Sequence, residues 1–289
     1  MRWLVTGAGG QLGADLLRVL AGADVVGLGR RELDVTDPHA LRRAVAGRDV
    51  LLNAAAWTDV DGAESAEAAA YAVNAAASAL LAEACADAGA LLVHVSTDYV
   101  FAGDASPPYT EDMPVGPRSA YGRTKAAGEQ SVLARGGRAY VVRTAWLYGD
   151  TGRNFVRTMV RLEGERETVS VVDDQHGSPT WSRHLATGLV ELAGSGAPYG
   201  IYHCTNAGET TWCGLARAVF AELGADPGRV HPTSSAAYPR PAPRPAYSVL
   251  SGAKWRAAGL TPLPGWREAL AEAFRAGAFA ASSLSTLEL

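Results

Sequence analysis

Arg2-Trp3-Leu4-Val5-Thr6-Gly7-Ala8-Gly9-Gly10-Gln11-Leu12-Gly13 opens the chain as an apolar strand, a glycine turn and the start of an amphipathic helix. Gly7 permits the tight turn, Gly10 lets a pyrophosphate approach the backbone, and Gly13 lets helix and strand lie close together. The helix N-terminus, with Gln11 and Leu12 in its first turn, then faces the phosphates. A dinucleotide is expected here; the alternative is a purely structural turn.

Working outward, short apolar runs alternate with Ala-rich helical stretches as far as residue 150. Strands are expected at 3–6, 25–29, 49–55, 90–96 and 138–144, and helices at 11–21, 38–46, 62–87 and 119–134. That alternation indicates an α/β, Rossmann-like doubly wound parallel sheet covered on both faces. Ligands of such sheets bind beyond the carboxyl ends of the strands. After Gly149 the pattern loosens into a helix from Asn154, strands at 169–172 and 200–204, helices at 183–193, 211–223 and 265–276, and a stretch carrying Pro239, Pro241, Pro243 and Pro245. The expected division is a dinucleotide-binding domain over 1–150 and a smaller substrate-binding lobe over 151–289. The lobe is not expected to make a large core of its own, and some of its elements should return to the main sheet. The tail after Gly277 is expected to fray.

Composition narrows the function classes. With 289 residues, 48% hydrophobic and 19% charged, the chain can bury a full core. A net charge of −4 and a pI near 5.9 argue against a nucleic-acid surface. Met1 runs straight into the first strand, and no apolar run is expected to reach membrane-span length, so a soluble cytoplasmic protein without a membrane partner is expected. Cys85, Cys204 and Cys213 are odd in number and outside any Cys-x-x-Cys spacing, so they read as reduced core thiols. The six histidines lack ligand spacing. His94 and His203 read as core residues, and no metal site is expected.

The second strand ends in Gly29-Arg30-Arg31, where an NAD-binding protein would usually place an acid for the ribose 2′-hydroxyl. Glycine then arginine leaves room and charge for a 2′-phosphate, which favours NADPH over NADH. Asp34 and Val35 follow, within reach of adenine. Asn53-Ala54-Ala55-Ala56 closes the third strand with small side chains against which a dinucleotide can lie, and Trp57 and Thr58 stand at the mouth. The fourth strand delivers Thr97, Asp98 and Tyr99 to the same edge.

Lys125 is one of two lysines in a chain with 24 arginines, and it follows Tyr121 by four residues in Ser119-Ala-Tyr-Gly-Arg-Thr-Lys. A bias that strong toward Arg would replace a Lys needed for its charge alone. Ser119 can cap a helix on which residues i and i+4 share a face, so Tyr121 and Lys125 point the same way. A fixed cation beside a phenol favours phenolate and lowers its pKa, making the Tyr a usable general acid. Read alone, the pair is as compatible with a core aromatic and a solvated Lys.

The glycine turn, Asn53-Ala-Ala-Ala, Ser96-Thr-Asp-Tyr-Val-Phe, Tyr121-Gly-Arg-Thr-Lys, Arg143-Thr-Ala-Trp-Leu-Tyr-Gly, Asp174-Gln-His-Gly-Ser-Pro-Thr and Arg244-Pro245 together resemble the extended short-chain dehydrogenases/reductases. In their order they are most similar to the dTDP-4-dehydrorhamnose reductases, over about residues 1–275. The resemblance implies NAD(P)H-dependent reduction of the C4 ketone of a dTDP-6-deoxyhexulose. It implies Tyr121 as proton donor, Lys125 as the cation that lowers its pKa and holds the nicotinamide ribose, and Thr97 as the hydroxyl orienting the carbonyl. Thr58, Asp98, Tyr99 and Trp146 would line the sugar pocket, and Arg244 would face the diphosphate. Ala102 departs from the Asp often found after Val-Phe. Trp146 and Tyr148 read equally as core aromatics, Asp174–Gly177 as a structured turn, and Arg244 as a surface residue between prolines. A homodimer is compatible with this reading.

The competing readings are a nucleotide-sugar dehydratase or epimerase, a reductase of another dTDP-4-keto sugar, and a non-catalytic dinucleotide-binding subunit. Dehydratases commonly carry Asp-Glu after the Thr, whereas Asp98 is followed by Tyr99. Loss of Tyr121 or Lys125 would have favoured the binding subunit, and both are present.

Overall fold

The computed structural model describes residues 1–280. Its first half comprises β1 (Arg2–Thr6), α1 (Gln11–Val19), β2 (Asp24–Leu28), α2 (Pro38–Val45), β3 (Val50–Asn53), α3 (Val60–Ser65), α4 (Glu67–Tyr71), a π turn (Ala72–Ala76), α5 (Ala77–Ala88), β4 (Leu91–Thr97), α6 (Ala120–Ala134) and β5 (Ala139–Thr144). There follow β6 (Leu147–Tyr148), α7 (Phe155–Glu165), β7 (Val169–Val172), β8 (His176–Gly177), β9 (Thr180–Trp181), α8 (Ser182–Ser195), β10 (Gly200–His203), β11 (Thr210–Thr211), α9 (Trp212–Glu222), β12 (Val230–Thr233), α10 (Ala253–Ala257) and α11 (Trp266–Arg275).

Six parallel strands form the central sheet in the order β10-β5-β4-β3-β1-β2. Both faces are covered, which is why the strands are mostly apolar. Alternate side chains go to opposite layers. Val5, Leu52, Val93 and Val142 meet Leu16 of α1 and Leu185 and Leu189 of α8, while Leu4, Leu51, Leu92 and Val141 meet Leu41 of α2, Leu81 of α5 and Val132 of α6. The chain leaves β1 toward β2 and returns past it to β3, so the crevice where the winding reverses opens between the ends of β1 and β3.

The second half departs from expectation in having a substantial core. Tyr148, Val156, Met159, Trp181, Val219, Phe220, Leu270 and others form a buried cluster drawn wholly from residues 148–279. It is assembled from α7, α9, α11 and the parallel pair β7–β12, segments too far apart in sequence for local periodicity to display. β10 and α8 return to the main sheet and its face, as expected. Ala278 and Phe279 lie in the lobe's core, so the expected fraying does not begin at Gly277; the remainder of that tail lies outside the described residues.

One further expectation is corrected. The continuous helical run Glu67–Ala88 spans 22 residues at mean hydropathy 1.3, enough for a membrane span by length and composition. Half of its apolar window is buried inside the fold, and α5 lies between α2 and α6, the arrangement of a core helix.

Candidate active site

The glycine turn is built as its residues require. Gly7 has φ +68°, and a Cβ there would lie 2.7 Å from the Ala54–Ala55 backbone; at Gly13 it would lie 2.2 Å from the Gly7 carbonyl oxygen. The ends of β1 and β3 thus touch without side chains between them. Above Gly9 a Cβ would meet nothing within 4 Å, and no side chain caps the first turn of α1, which also holds no acid. Open backbone amides at an uncapped helix N-terminus fit a diphosphate.

The other residues expected to hold a dinucleotide divide. Ala54, Ala55 and Ala56 are partly buried along the crevice, and Ala54 donates its N–H to the Thr6 carbonyl at 3.2 Å. Asn53, by contrast, is turned inward and 2% exposed. Its Oδ1 accepts from Thr6 Oγ1 at 2.6 Å and from the Ala55 N–H at 3.2 Å, and its Nδ2 meets His94 Nδ1 at 2.9 Å. With these partners it ties β1, β3 and β4 together instead of presenting its amide to the cleft. Leu12 is likewise a core side chain, leaving only its backbone to face a ligand, and Val35 leans on the same core layer as Leu41. Gln11 Oε1 accepts from Asn154 Nδ2 at 2.9 Å, joining the turn to the loop after β6.

At the end of β2, Arg30 is exposed and Asp34 accepts from the N–H and hydroxyl of Thr36, which, with Arg30 nearby, hold its carboxyl below the usual range. The sequence reading missed Glu32. Its carboxylate folds back to the Gly29 N–H at 2.9 Å and so stands at the strand end, where no acid was expected. Adjacent sequence gave no sign that a residue three positions on would return.

The expected trio converges. Ser119 caps α6, its hydroxyl accepting from the Gly122 N–H at 3.1 Å, and the helix carries Tyr121 and Lys125 one turn apart. Tyr121 faces Thr97 at the end of β4 and meets the Tyr99 ring edge-on at 5.6 Å. Lys125 is 2% exposed and donates from Nζ to the Val95 carbonyl at 2.7 Å. Behind it, buried Glu129 pairs with Arg143 at 2.7 Å.

The electrostatics differ from the expectation. Burial pushes the Tyr121 phenol up to about 12, against a smaller lowering by the nearby Thr97 hydroxyl. Burial pulls the Lys125 ammonium down to about 8, with Glu129 opposing. The ammonium is spent on a strand carbonyl, so desolvation prevails and the phenol is not made more acidic in this structure. Asp98 is 2% exposed, lies behind Thr97 and is not at the mouth; burial lifts its carboxyl to about 6.

Trp146 has φ +46°, the one non-glycine residue in the left-handed region among those described. Its indole stacks on Trp212 with ring centroids 3.5 Å apart and lies against Gly177, where a Cβ would come within 2.3 Å of the ring. Trp212 is fixed by donating to Gln175 Oε1 at 3.1 Å. Both indoles remain partly exposed, so Trp146 belongs neither to the core nor wholly to the surface. Thr58 is exposed. Arg244 is paired with Asp61 of α3 at 3.0 Å, beside Arg240 at 2.9 Å, and its loop closes on Gly103 through Pro245. It is therefore no free surface residue. Asn74, on the π turn, went unnoticed in sequence: its Oδ1 accepts from the Trp57 N–H at 2.9 Å and its Nδ2 reaches Thr124 Oγ1 at 3.1 Å, bracing the Trp57–Thr58 loop against α6.

A family model, the RmlD substrate binding domain, matches residues 1–278. The chain belongs to this family. A dTDP-4-dehydrorhamnose reductase of Streptomyces griseus is 55% identical over 285 residues, 95% of this chain and 93% of that protein. A probable dTDP-4,6-dihydroxy-2-methyloxan-3-one 4-ketoreductase of Streptomyces antibioticus is 55% identical over 279 residues, 95% of each chain. The crystal structure of dTDP-4-dehydrorhamnose reductase from Bacillus anthracis str. Ames in complex with NADP superimposes with a TM-score of 0.92 at 37% identity, covering 95% of this chain and 99% of that one.

Proposed function

We propose that the protein reduces the C4 ketone of dTDP-4-dehydrorhamnose to dTDP-L-rhamnose with NADPH, NADH being the weaker donor. The observation that carries this is the meeting of Tyr121 and Thr97, with Lys125 one turn along, at the carboxyl edge of a sheet whose glycine turn fits a diphosphate. It is joined by 55% identity to a reductase of that name over nearly the whole chain.

When bound, NADPH supplies the hydride. The chain's residues do the rest. The backbone from Gly7 to Gly13 receives the diphosphate, and Arg30 the 2′-phosphate. Tyr121 donates its proton to the carbonyl oxygen as negative charge builds there, and Thr97 orients that oxygen. Both bonds strengthen as the oxygen becomes an alkoxide, which is the differential stabilisation that lowers a barrier. Lys125, one turn along α6 and buried, supplies a positive charge that offsets the phenolate left behind. Trp146, backed by Trp212, and Tyr99 give the hexose apolar walls, and Arg244 exchanges Asp61 for a phosphate oxygen. Residues 1–150 carry the cofactor, and 151–289 mainly the sugar nucleotide.

Elimination, the chemistry of a dehydratase, needs a second carboxyl beside Asp98, and Tyr99 occupies that position. A reductase of another dTDP-4-keto-6-deoxy sugar is the second reading, favoured by the equal identity to the Streptomyces antibioticus ketoreductase. Both substrates named carry a charged diphosphate, which does not cross a membrane unaided, and the cytoplasm is the proposed location. The test is to follow NADPH absorbance with dTDP-4-dehydrorhamnose and identify the product sugar. Tyr121→Phe should lose roughly 10²–10⁴ in kcat while still binding NADPH; wild-type turnover in that variant would refute the assignment.

A further inference from the structure

The helix that carries Tyr121 is fixed from outside at its first turn. Ser119 caps α6 from the adjoining chain and so moves with it, whereas Ala120 donates its N–H to Glu64 Oε1 at 2.8 Å, on α3 and 56 positions away. Among the described residues this is the single hydrogen bond from the N–H groups of that turn to another element. A carboxylate oxygen satisfies an otherwise orphaned donor there and suits the positive end of the helix. The next turn is held separately, Thr124 by Asn74 and Lys125 by the Val95 carbonyl. The Tyr121 ring packs against the buried cluster of Ala63 of α3, Ala70 of α4 and Ala120.

α3 is also tied to the arginine loop. Three residues before Glu64, Asp61 Oδ2 pairs with Arg240 at 2.9 Å and with Arg244 at 3.0 Å, and Oδ1 accepts the Ala242 N–H at 3.2 Å. Ala242 is 1% exposed, so the loop is seated against the fold at this point. Arg244 and Asp61 both lie near enough to Tyr99 for their charges to act on its phenol, and that ring stands edge-on to Tyr121 at 5.6 Å. One short helix, Val60–Ser65, thus joins the loop that would hold a diphosphate to the side chain that would give the proton.

A sugar nucleotide spans those two points. Its phosphates and its C4 ketone are separated by a fixed set of bonds, so an enzyme that holds both must keep phosphate site and proton donor at a matching distance. We propose that α3 is the strut that sets this distance, with Glu64 as the positioning residue for Tyr121. This rests on the reductase reading above. Asp61 keeps Arg240 and the Ala242 N–H when Arg244 turns to a phosphate oxygen, so the strut stays anchored with substrate bound. Glu64 acts through the first turn of α6 and takes no proton in the reaction.

The experiment measures kcat and KM of the full chain with NADPH and dTDP-4-dehydrorhamnose, the affinities for dTDP and NADPH by calorimetry, and the melting temperature. Glu64→Ala should lower kcat roughly 100-fold, the effect of about 1 Å of misplacement, with both affinities within about threefold of wild type. Glu64→Gln keeps an oxygen acceptor for the Ala120 N–H and should bring kcat back to within about threefold. Asp37→Ala, which removes the α2 cap on the His39 N–H, is the stability control and should lower the melting temperature comparably at wild-type kcat. Asp61→Ala should lower kcat about tenfold without weakening dTDP binding, and adding it to Glu64→Ala should cost little more, since both cut one strut. That variant decides the matter even if Glu64→Ala does not fold. Wild-type kcat in Glu64→Ala or Asp61→Ala, a Glu64→Gln as impaired as Glu64→Ala, an equal kcat loss in Asp37→Ala, or losses that multiply in the double variant overturn the proposal. Absence of NADPH oxidation by the wild type would instead overturn the reductase reading.

Discussion

Glu129→Gln should destabilise this protein more than almost any other single polar change. The side chains of Glu129 and Arg143 are only 4% and 2% exposed, and the carboxylate accepts from Nε at 2.9 and 3.2 Å and from Nη2 at 2.7 Å. Arg143 also lies over the Phe101 ring at 4.8 Å and reaches His203 Nε2 at 3.5 Å, so the guanidinium cannot swing to solvent. The amide keeps the shape and removes the charge, leaving a cation in the interior. Breaking such a pair costs about 3–5 kcal/mol. At about 2–4 °C per kcal/mol for a chain approaching this size, the melting temperature should fall by about 6–20 °C. Removing both charges with Glu129→Leu and Arg143→Met should recover most of the loss, because the desolvation cost goes with them. Thermal and urea melts of the wild type, Glu129→Leu, Arg143→Met and the double variant give the coupling energy directly. The active site supplies a second readout. Glu129 raises the Lys125 pKa, so without its charge Lys125 loses its proton at lower pH and kcat should fall further at pH 8 than at pH 6.5. A single variant costing under about 1 kcal/mol, or a double variant as unstable as the single, would refute the reasoning.

Other expectations follow from the same geometry. Arg30→Ala should raise KM for NADPH about tenfold and leave that for NADH nearly unchanged, since one charge-assisted contact to phosphate is worth about 1.4 kcal/mol; equal effects on both cofactors would place the guanidinium elsewhere. Gly13→Ala puts a methyl 2.2 Å from the Gly7 carbonyl and should abolish NADPH binding, read by fluorescence titration, while the chain still folds or loses only part of its stability. His94 and His203 are buried and neutral, His94 well below its usual value and His203 drawn down to about 3 by burial with Arg143 adding to it. Their folded-state pKa values lie below the unfolded ones, so the unfolded chain binds more protons from pH 6.5 down to about 3 and stability falls as pH drops through that window. Asp98, raised to about 6, opposes them between pH 3.8 and 6, one carboxyl against two rings. Thermal melts should therefore show a falling Tm from pH 7 to 4.5; a flat profile would contradict the burial of both rings.

The parts legible in sequence are those governed by local rules. The turn from Gly7 to Gly13, the alternation through β5 and the Ser119 cap each depend on a few adjacent residues, and they stand where the periodicity put them. What sequence could not display is the direction of side chains and the meeting of distant segments. Asn53 looked like a cleft residue because it ends a strand, yet its amide is consumed by Thr6 and His94. Trp212 gave no signal of its own; its stacking on Trp146 joins residues 66 positions apart. The small lobe's core was missed for the same reason. The Tyr121 pKa was misjudged because spacing reports the neighbouring charge and not the desolvation that outweighs it.

The parallel indoles of Trp146 and Trp212 have an optical consequence. Two indole rings held with centroids 3.5 Å apart and planes within 4° of parallel interact electronically, which gives the cleft a built-in chromophore in the near-ultraviolet. Because this pair borders the place proposed for the hexose, occupancy of the enzyme can be watched by circular dichroism without any label, and a sugar that enters without touching the pair will leave that band unchanged.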